Sequence, residues 1–154
     1  MRKISEFFMS EALKEARKAL EEDEVPVGAV IVFKGEIIAR GHNQVERLKD
    51  PTAHAEMLAL TSATNYLGNK WLSAASMYVT IEPCSMCAGA LVLSRLKNLY
   101  FGAKDPKTGA CGSIINIVNH KKLNHRIKVK GGILEQECGS LLKEFFKNKR
   151  AKLN

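Results

Sequence analysis

Pro83-Cys84-Ser85-Met86-Cys87 and, upstream of it, His54-Ala55-Glu56 decide how this chain reads; 26 residues lie between Glu56 and Pro83. Cys84 and Cys87 offer two soft thiolates at a spacing that lets both reach one ion, and His54 adds an imidazole. Three such ligands without a fourth make an open, catalytic type of zinc set. The remaining position suits water, and Glu56 is the candidate base for that water's proton. Side chains two apart on a helix point to nearly opposite sides. His54 and Glu56 can therefore serve one ion only from a first helical turn, with the ion off the helix end. Asp50-Pro51-Thr52 supplies a helix-start signal just upstream, and Pro83 is expected to open a second helix. Two helix N-termini should thus converge, their positive dipole ends favouring thiolate over thiol. Two thiolates would also cancel the charge of Zn2+.

A lone C-x-x-C has several meanings: a structural zinc site, a redox pair or two unrelated buried cysteines. H-x-E followed by P-C-x-x-C is far rarer. It is the signature of zinc nucleobase deaminases, in which the glutamate handles protons and is not a ligand.

At 154 residues the chain is expected to form a single domain, residues 1–154, with a substantial core. A composition 45% apolar and 26% charged gives no reason to expect disorder. No apolar run approaches a membrane span, and the stretch from Met1 to Glu6 lacks an apolar export signal. Four cysteines are too few for a disulfide scaffold, so Cys111 and Cys138 read as free thiols of a reducing, cytoplasmic compartment. The net charge of +8 is uneven: residues 121–154 hold ten Lys/Arg against three Glu, leaving only +1 for the first 120 residues. A basic C-terminal third fits either a phosphate-rich partner or a solvated lysine-rich helix.

Residues 6–22 carry apolar side chains at helical spacing and predict a core-packing helix. Val25 to Phe33 is apolar throughout and predicts a strand covered on both faces, with Lys34-Gly35 turning it into a second strand over 36–41. Gly28 within it serves a bulge, close helix packing or a ligand's approach. Helices are expected over 53–66, 85–95 and 134–149, with fraying after Lys147, and further strands over 77–81, 99–102 and 127–129. Trp71 and Leu72 read as packing residues. The histidines at 120 and 125 have no ligand-type partner at suitable spacing, so no second metal is expected. Asn43 is either a loop former or a reader of a base edge. Of Phe145 and Phe146 at least one belongs to the core, while the other could stack on a base, a contact worth about 1–3 kcal/mol.

The order of elements and the H-x-E and P-C-x-x-C motifs resemble the cytidine deaminase-like superfamily. Within it, nearly the whole chain resembles the bacterial tRNA adenosine deaminases. The matching stretches include Glu24–Val30, Asp50–Glu56, Tyr78–Cys84, Phe101–Asp105, Thr108–Ala110, Asn124–Arg126 and the Phe145-Phe146 ending. The resemblance implies an α/β fold of three layers, α/β/α, around a mixed five-stranded sheet. It implies a homodimer and conversion of adenosine to inosine at the wobble position of a tRNA, in bacteria an arginine tRNA. It assigns His54, Cys84 and Cys87 to zinc and Glu56 to proton transfer. Asn43, Asp105 and Phe146 become contacts to the flipped nucleotide or its neighbours.

Three other readings share parts of these motifs. A deaminase of free guanine or cytosine would carry the same ligands. A zinc-stabilised nucleic-acid-binding module would need neither Glu56 nor an open position. A redox dithiol protein would lose the reactivity of Cys84 and Cys87 on addition of zinc.

Overall fold

The computed structural model describes residues 3–153. Met1 and Arg2, where the argument against an export signal begins, and Asn154 lie outside the described residues. The elements run α1 (Ile4–Glu21), β1 (Gly28–Phe33), β2 (Glu36–His42), α2 (Val45–Leu48), α3 (Ala55–Leu67), β3 (Ala75–Ile81), α4 (Ser85–Leu93), β4 (Asn98–Ala103), β5 (Lys128–Lys130) and α5 (Glu135–Leu153).

The five strands form one mixed sheet in the order β2-β1-β3-β4-β5. The pairs β1–β2 and β1–β3 are antiparallel, while β3–β4 and β4–β5 are parallel. Alternation along the strands feeds two cores. Ala29, Ile31, Met77, Val79 and Leu99 face one side with Ala55, Ala59 and Ala63 of α3 and Ala88 and Leu91 of α4. Val30, Val32 and Tyr78 face the other side with Met9, Ala12 and Leu13 of α1 and Cys138 of α5. The expected three layers are thus present, and β1 is covered on both faces.

The hairpin turns through Lys34 (φ 52°) and Gly35 (φ 78°). Two successive positive φ values give the primed turn whose twist matches that of the strands. A bulge lies between Ile31 and Val32, not at Gly28. Gly28 serves helix packing instead: a Cβ there would lie 2.1 Å from the Ala12 carbonyl oxygen and 2.4 Å from the Ala16 nitrogen.

Several boundaries differ from expectation. The first strand begins at Gly28, because Pro26 has no N–H to offer and the Val27 N–H bonds the Val25 carbonyl. Pro83 does not open a helix; Cys84 is the N-cap and Ser85 the first helical residue. Asp50 does not cap the metal helix either. Its Oδ1 accepts the Thr52 N–H and hydroxyl, and His54 is the N-cap. The last helix continues to Leu153, beyond the expected end at 149. Leu72 is buried, but Trp71 is half-exposed between the cations of Lys70 and Arg95, whose charges lie 5.0 and 5.4 Å from its ring centre. Among the described residues no helix is long and apolar enough to cross a membrane.

Because Gly28 lets α1 touch β1, Gly28→Ala should force the helix off the sheet. Overpacking of this kind costs about 3 kcal/mol, which lowers Tm by roughly 6–12 °C in a chain of this size. A thermal melt of the variant at the native Tm would contradict the contact.

Candidate metal centre and its cavity

His54 and Cys84 occupy equivalent places: each is the N-cap of a helix, with extended backbone (ψ 151° and 176°) and no capping hydrogen bond from its side chain. Freed from capping, both side chains turn off the helix ends. Cys87 stands in the first turn of α4 and Glu56 in the first turn of α3. His54 Nδ1 lies 3.6 Å from Cys84 Sγ and 3.5 Å from Cys87 Sγ. The three ligand atoms lie within 4.8 Å of one another, an arrangement suited to a metal ion. Two helix N-termini therefore converge on this point, and their positive dipole ends favour anionic sulfur.

The electrostatics match a ligand set. The Cys87 side chain, and after it His54, hold the Cys84 thiol down to about 4. Cys84 and burial in turn push the Cys87 thiol up. Two adjacent sulfurs resist joint ionisation until a cation lies between them. Glu56 is buried, and the Cys87 thiol faces its carboxylate. Burial is the main reason its pKa is pushed up to about 7.

His54, Glu56 and Cys84 line a cavity of about 550 Å³, the size of a small-molecule site. Asn43, Asp105 and Phe146 line the same cavity, so all residues read from the sequence as substrate contacts converge on it. Asn43 is buried, and its Oδ1 accepts the Ala55 N–H at 2.9 Å, capping α3 from outside the helix. Asp105 is tied locally: its carboxylate accepts the Lys107 and Thr108 N–H groups and the Thr108 hydroxyl. Phe145 is buried and Phe146 is 47% exposed, their rings meeting edge to face at 5.2 Å between centroids. Both line the cavity. A second cavity shares Asp105, Thr108 and Phe146 and adds Lys107, Lys143 and Arg150.

Two carboxylates at this cavity were not singled out from the sequence. Glu24 is buried and accepts the N–H groups of Glu46 and Arg47 at 3.0 and 2.8 Å, fixing the start of α2. Glu82 is buried and accepts the N–H groups of Asp105, Cys111 and Ser113 and the Ser113 hydroxyl. Burial alone would raise Glu82, but the Ser113 hydroxyl and these backbone donors overcome it and lower its pKa. For Glu82 one signal was available, since an acid at the end of an apolar stretch must find partners when buried; Glu24, the last of four consecutive acids, carried none. Cys111 and Cys138 are free and buried. His125 is a structural residue, its Nε2 2.6 Å from the Leu96 carbonyl oxygen.

The sequence profile of the MafB19-like deaminases matches residues 5–150. The chain is 51% identical over 147 residues to the tRNA-specific adenosine deaminase of Bacillus subtilis (strain 168), covering 96% of this chain and 91% of the relative. It is 53% identical over 145 residues to the corresponding protein of Aquifex aeolicus (strain VF5), covering 94% and 95%. Among solved structures, one from studies of A-to-I editing by tRNA:A34 deaminases at the wobble position superposes with a TM-score of 0.85. It is 45% identical and covers 88% of this chain and 99% of the other. The guanine deaminase of Nitrosomonas europaea superposes at 0.79 with 28% identity, covering 91% and 83%. A metal-suited His-Cys-Cys cluster on this fold, with identity above one half along almost the full length, makes the chain a deaminase that belongs to the tRNA-specific adenosine deaminase family.

Proposed function

We propose that this protein converts adenosine to inosine at the wobble position of a tRNA by zinc-dependent hydrolysis, with release of ammonia. The observation that carries the reading is the closeness of the tRNA-specific relatives, at 51% and 53% identity along 96% and 94% of the chain.

Zinc fits the donor set. Bonds of about 2.3 Å to sulfur and 2.0–2.1 Å to nitrogen at a tetrahedral angle set nitrogen and sulfur about 3.6 Å apart. His54 Nδ1 stands 3.6 and 3.5 Å from the two sulfurs. Bound by His54, Cys84 and Cys87, zinc supplies the Lewis acidity that makes water nucleophilic at neutral pH.

Glu56 accepts one proton of the attacking water and delivers it to N1 of the adenine as the water oxygen bonds C6. The proton left on that oxygen passes to the exocyclic amine, and the C6–N bond breaks as C6=O forms and ammonia leaves. Burial moves the Glu56 carboxyl toward neutrality, the direction that suits a group taking and giving protons in turn. Asn43 uses Oδ1 on the Ala55 N–H, which leaves its Nδ2 to donate to the base. Asp105 and Phe146 contact the flipped nucleotide or its neighbour, Phe146 by stacking. A base inside a helix is out of reach, so the substrate is an anticodon loop whose base can splay out. The cations of Lys107, Lys143 and Arg150 beside Phe146 support a phosphate-bearing substrate over a free base.

The same reading includes an arginine tRNA as substrate, a cytoplasmic location, one domain over residues 1–154, and a homodimer. The apolar Tyr66 and Leu93, 68% and 80% exposed near the ends of α3 and α4, support a partner subunit.

Purified protein should form inosine in an anticodon stem-loop and leave free adenosine nearly untouched; the reverse preference would overturn the RNA assignment. Glu56→Ala should keep its metal while turnover falls by about 10²–10⁴-fold, the usual weight of a proton-transfer group. Unchanged turnover would remove Glu56 from the chemistry. Elemental analysis should find about one zinc per chain in the native protein and little in Cys84→Ala or Cys87→Ala, because an open site has no ligand to spare. Full zinc content in either variant would contradict the ligand set.

A further inference from the structure

We propose that Glu82 is a positioning residue, whose carboxylate anchors the loop 105–113 by its backbone and so fixes the cavity wall that carries Asp105 and Thr108. This rests on the reading of the cavity as the nucleotide site.

Glu82 follows β3 and precedes Pro83 and Cys84, so it sits between the sheet and the metal helix. Its carboxylate bonds the loop that follows β4. Oε1 accepts the Asp105 N–H at 3.1 Å and the Ser113 hydroxyl; Oε2 accepts the Cys111 and Ser113 N–H groups, each at 3.0 Å. Four donors thus converge on one carboxylate from both ends of the loop. The loop folds tightly over it: a Cβ on Gly109 would lie 2.5 Å from Glu82 Cδ, 2.6 Å from its Oε1 and 2.5 Å from the Asp105 carbonyl oxygen. The Ala110 N–H completes the tie by bonding the Pro83 carbonyl at 2.9 Å. Asp105 and Thr108 line the cavity from this loop, where no helix or strand holds the backbone.

Glutamine cannot reproduce the anchor. If its amide nitrogen replaces Oε2, it faces two backbone N–H groups; if it replaces Oε1, it faces the Asp105 N–H. Either way a donor meets a donor, and a buried N–H is left without an acceptor.

The test compares native protein with Glu82→Gln, Gly109→Ala and Ser113→Ala, each with zinc measured. Kinetics use an anticodon stem-loop, and amide hydrogen exchange follows residues 105–113. Glu82→Gln should raise KM for the stem-loop about tenfold with kcat within about twofold, the effect of losing one hydrogen bond to a charge. Exchange at Asp105, Cys111 and Ser113 should quicken while that of α3 and α4 stays native. Gly109→Ala should give the same pattern with the carboxylate intact, and Ser113→Ala a weaker version. A merely destabilising role would lower the active fraction, hence kcat, and leave KM alone.

Native exchange rates in the loop of Glu82→Gln, or a fall in kcat with KM unchanged, would overturn the anchor. If Glu82→Gln does not fold, Gly109→Ala and Ser113→Ala decide by the same two readouts. If native protein does not act on the stem-loop, the functional reading fails, while the exchange data still decide whether Glu82 holds the loop.

Discussion

Two helix N-termini meeting at one point are the constraint on which the rest of the structure depends. His54 and Cys84 hold N-cap positions, where a Ser, Thr, Asp or Asn would usually bond the first turn. Neither side chain does so, because both turn toward the metal cluster. A missing cap costs about 0.5–2 kcal/mol per helix. For α3 the loss is offset from a distance: Asn43, twelve residues upstream, gives its Oδ1 to the Ala55 N–H. The small-residue faces of the two helices, Ala55, Ala59 and Ala63 on α3 and Ala88 on α4, let both lie close to the sheet. Their ends can then approach within bonding reach of one ion.

Three buried carboxylates surround the cavity, and their partners divide their tasks. Glu24 and Glu82 spend their oxygens on backbone N–H groups, two for the first and three for the second. A carboxylate that accepts several backbone N–H groups serves as a fixed point for a loop. Glu56 has burial as its main influence, and its pKa rises to about 7 where that of Glu82 falls. Environments that push like groups apart in pKa set Glu56 apart from the loop anchors, in keeping with the proton-transfer role proposed for it. The count of backbone N–H groups within reach is what separates the anchoring carboxylates from Glu56.

The metal cluster was legible in the sequence because its information is local. Spacings of two and three residues fix which side chains share a helix end, and imidazole and thiolate are rare enough together to name the chemistry. The hairpin was legible for a similar reason, since Lys34-Gly35 stands between two apolar runs. The carboxylate anchors were not. Glu82 finds its partners 23 to 31 residues downstream, and no periodicity records such a meeting. Helix α2 is four residues long, too short for an amphipathic pattern, and it is held by Glu24 from another part of the chain. Trp71 misled for a different reason. Its ring has the apolar area of a core residue, yet its neighbours Lys70 and Arg95 let the same ring lie half in water under two cations.

Phe145 and Phe146 show how a helix divides identical side chains. Consecutive helical residues are about 100° apart around the axis, so two neighbouring rings cannot both enter one core. Phe145 takes the buried direction, and Phe146 is left on the flank that closes the cavity. The edge-to-face contact between them makes the buried ring a support for the exposed one. An exposed aromatic held in this way loses little freedom when a base stacks on it, which is the economy of a preorganised contact. Arg150, one turn further along α5, lines the adjoining cavity with Phe146. A flat apolar surface with a cation one turn further along thus stands where the two cavities adjoin, in keeping with the nucleotide site proposed beside Glu56.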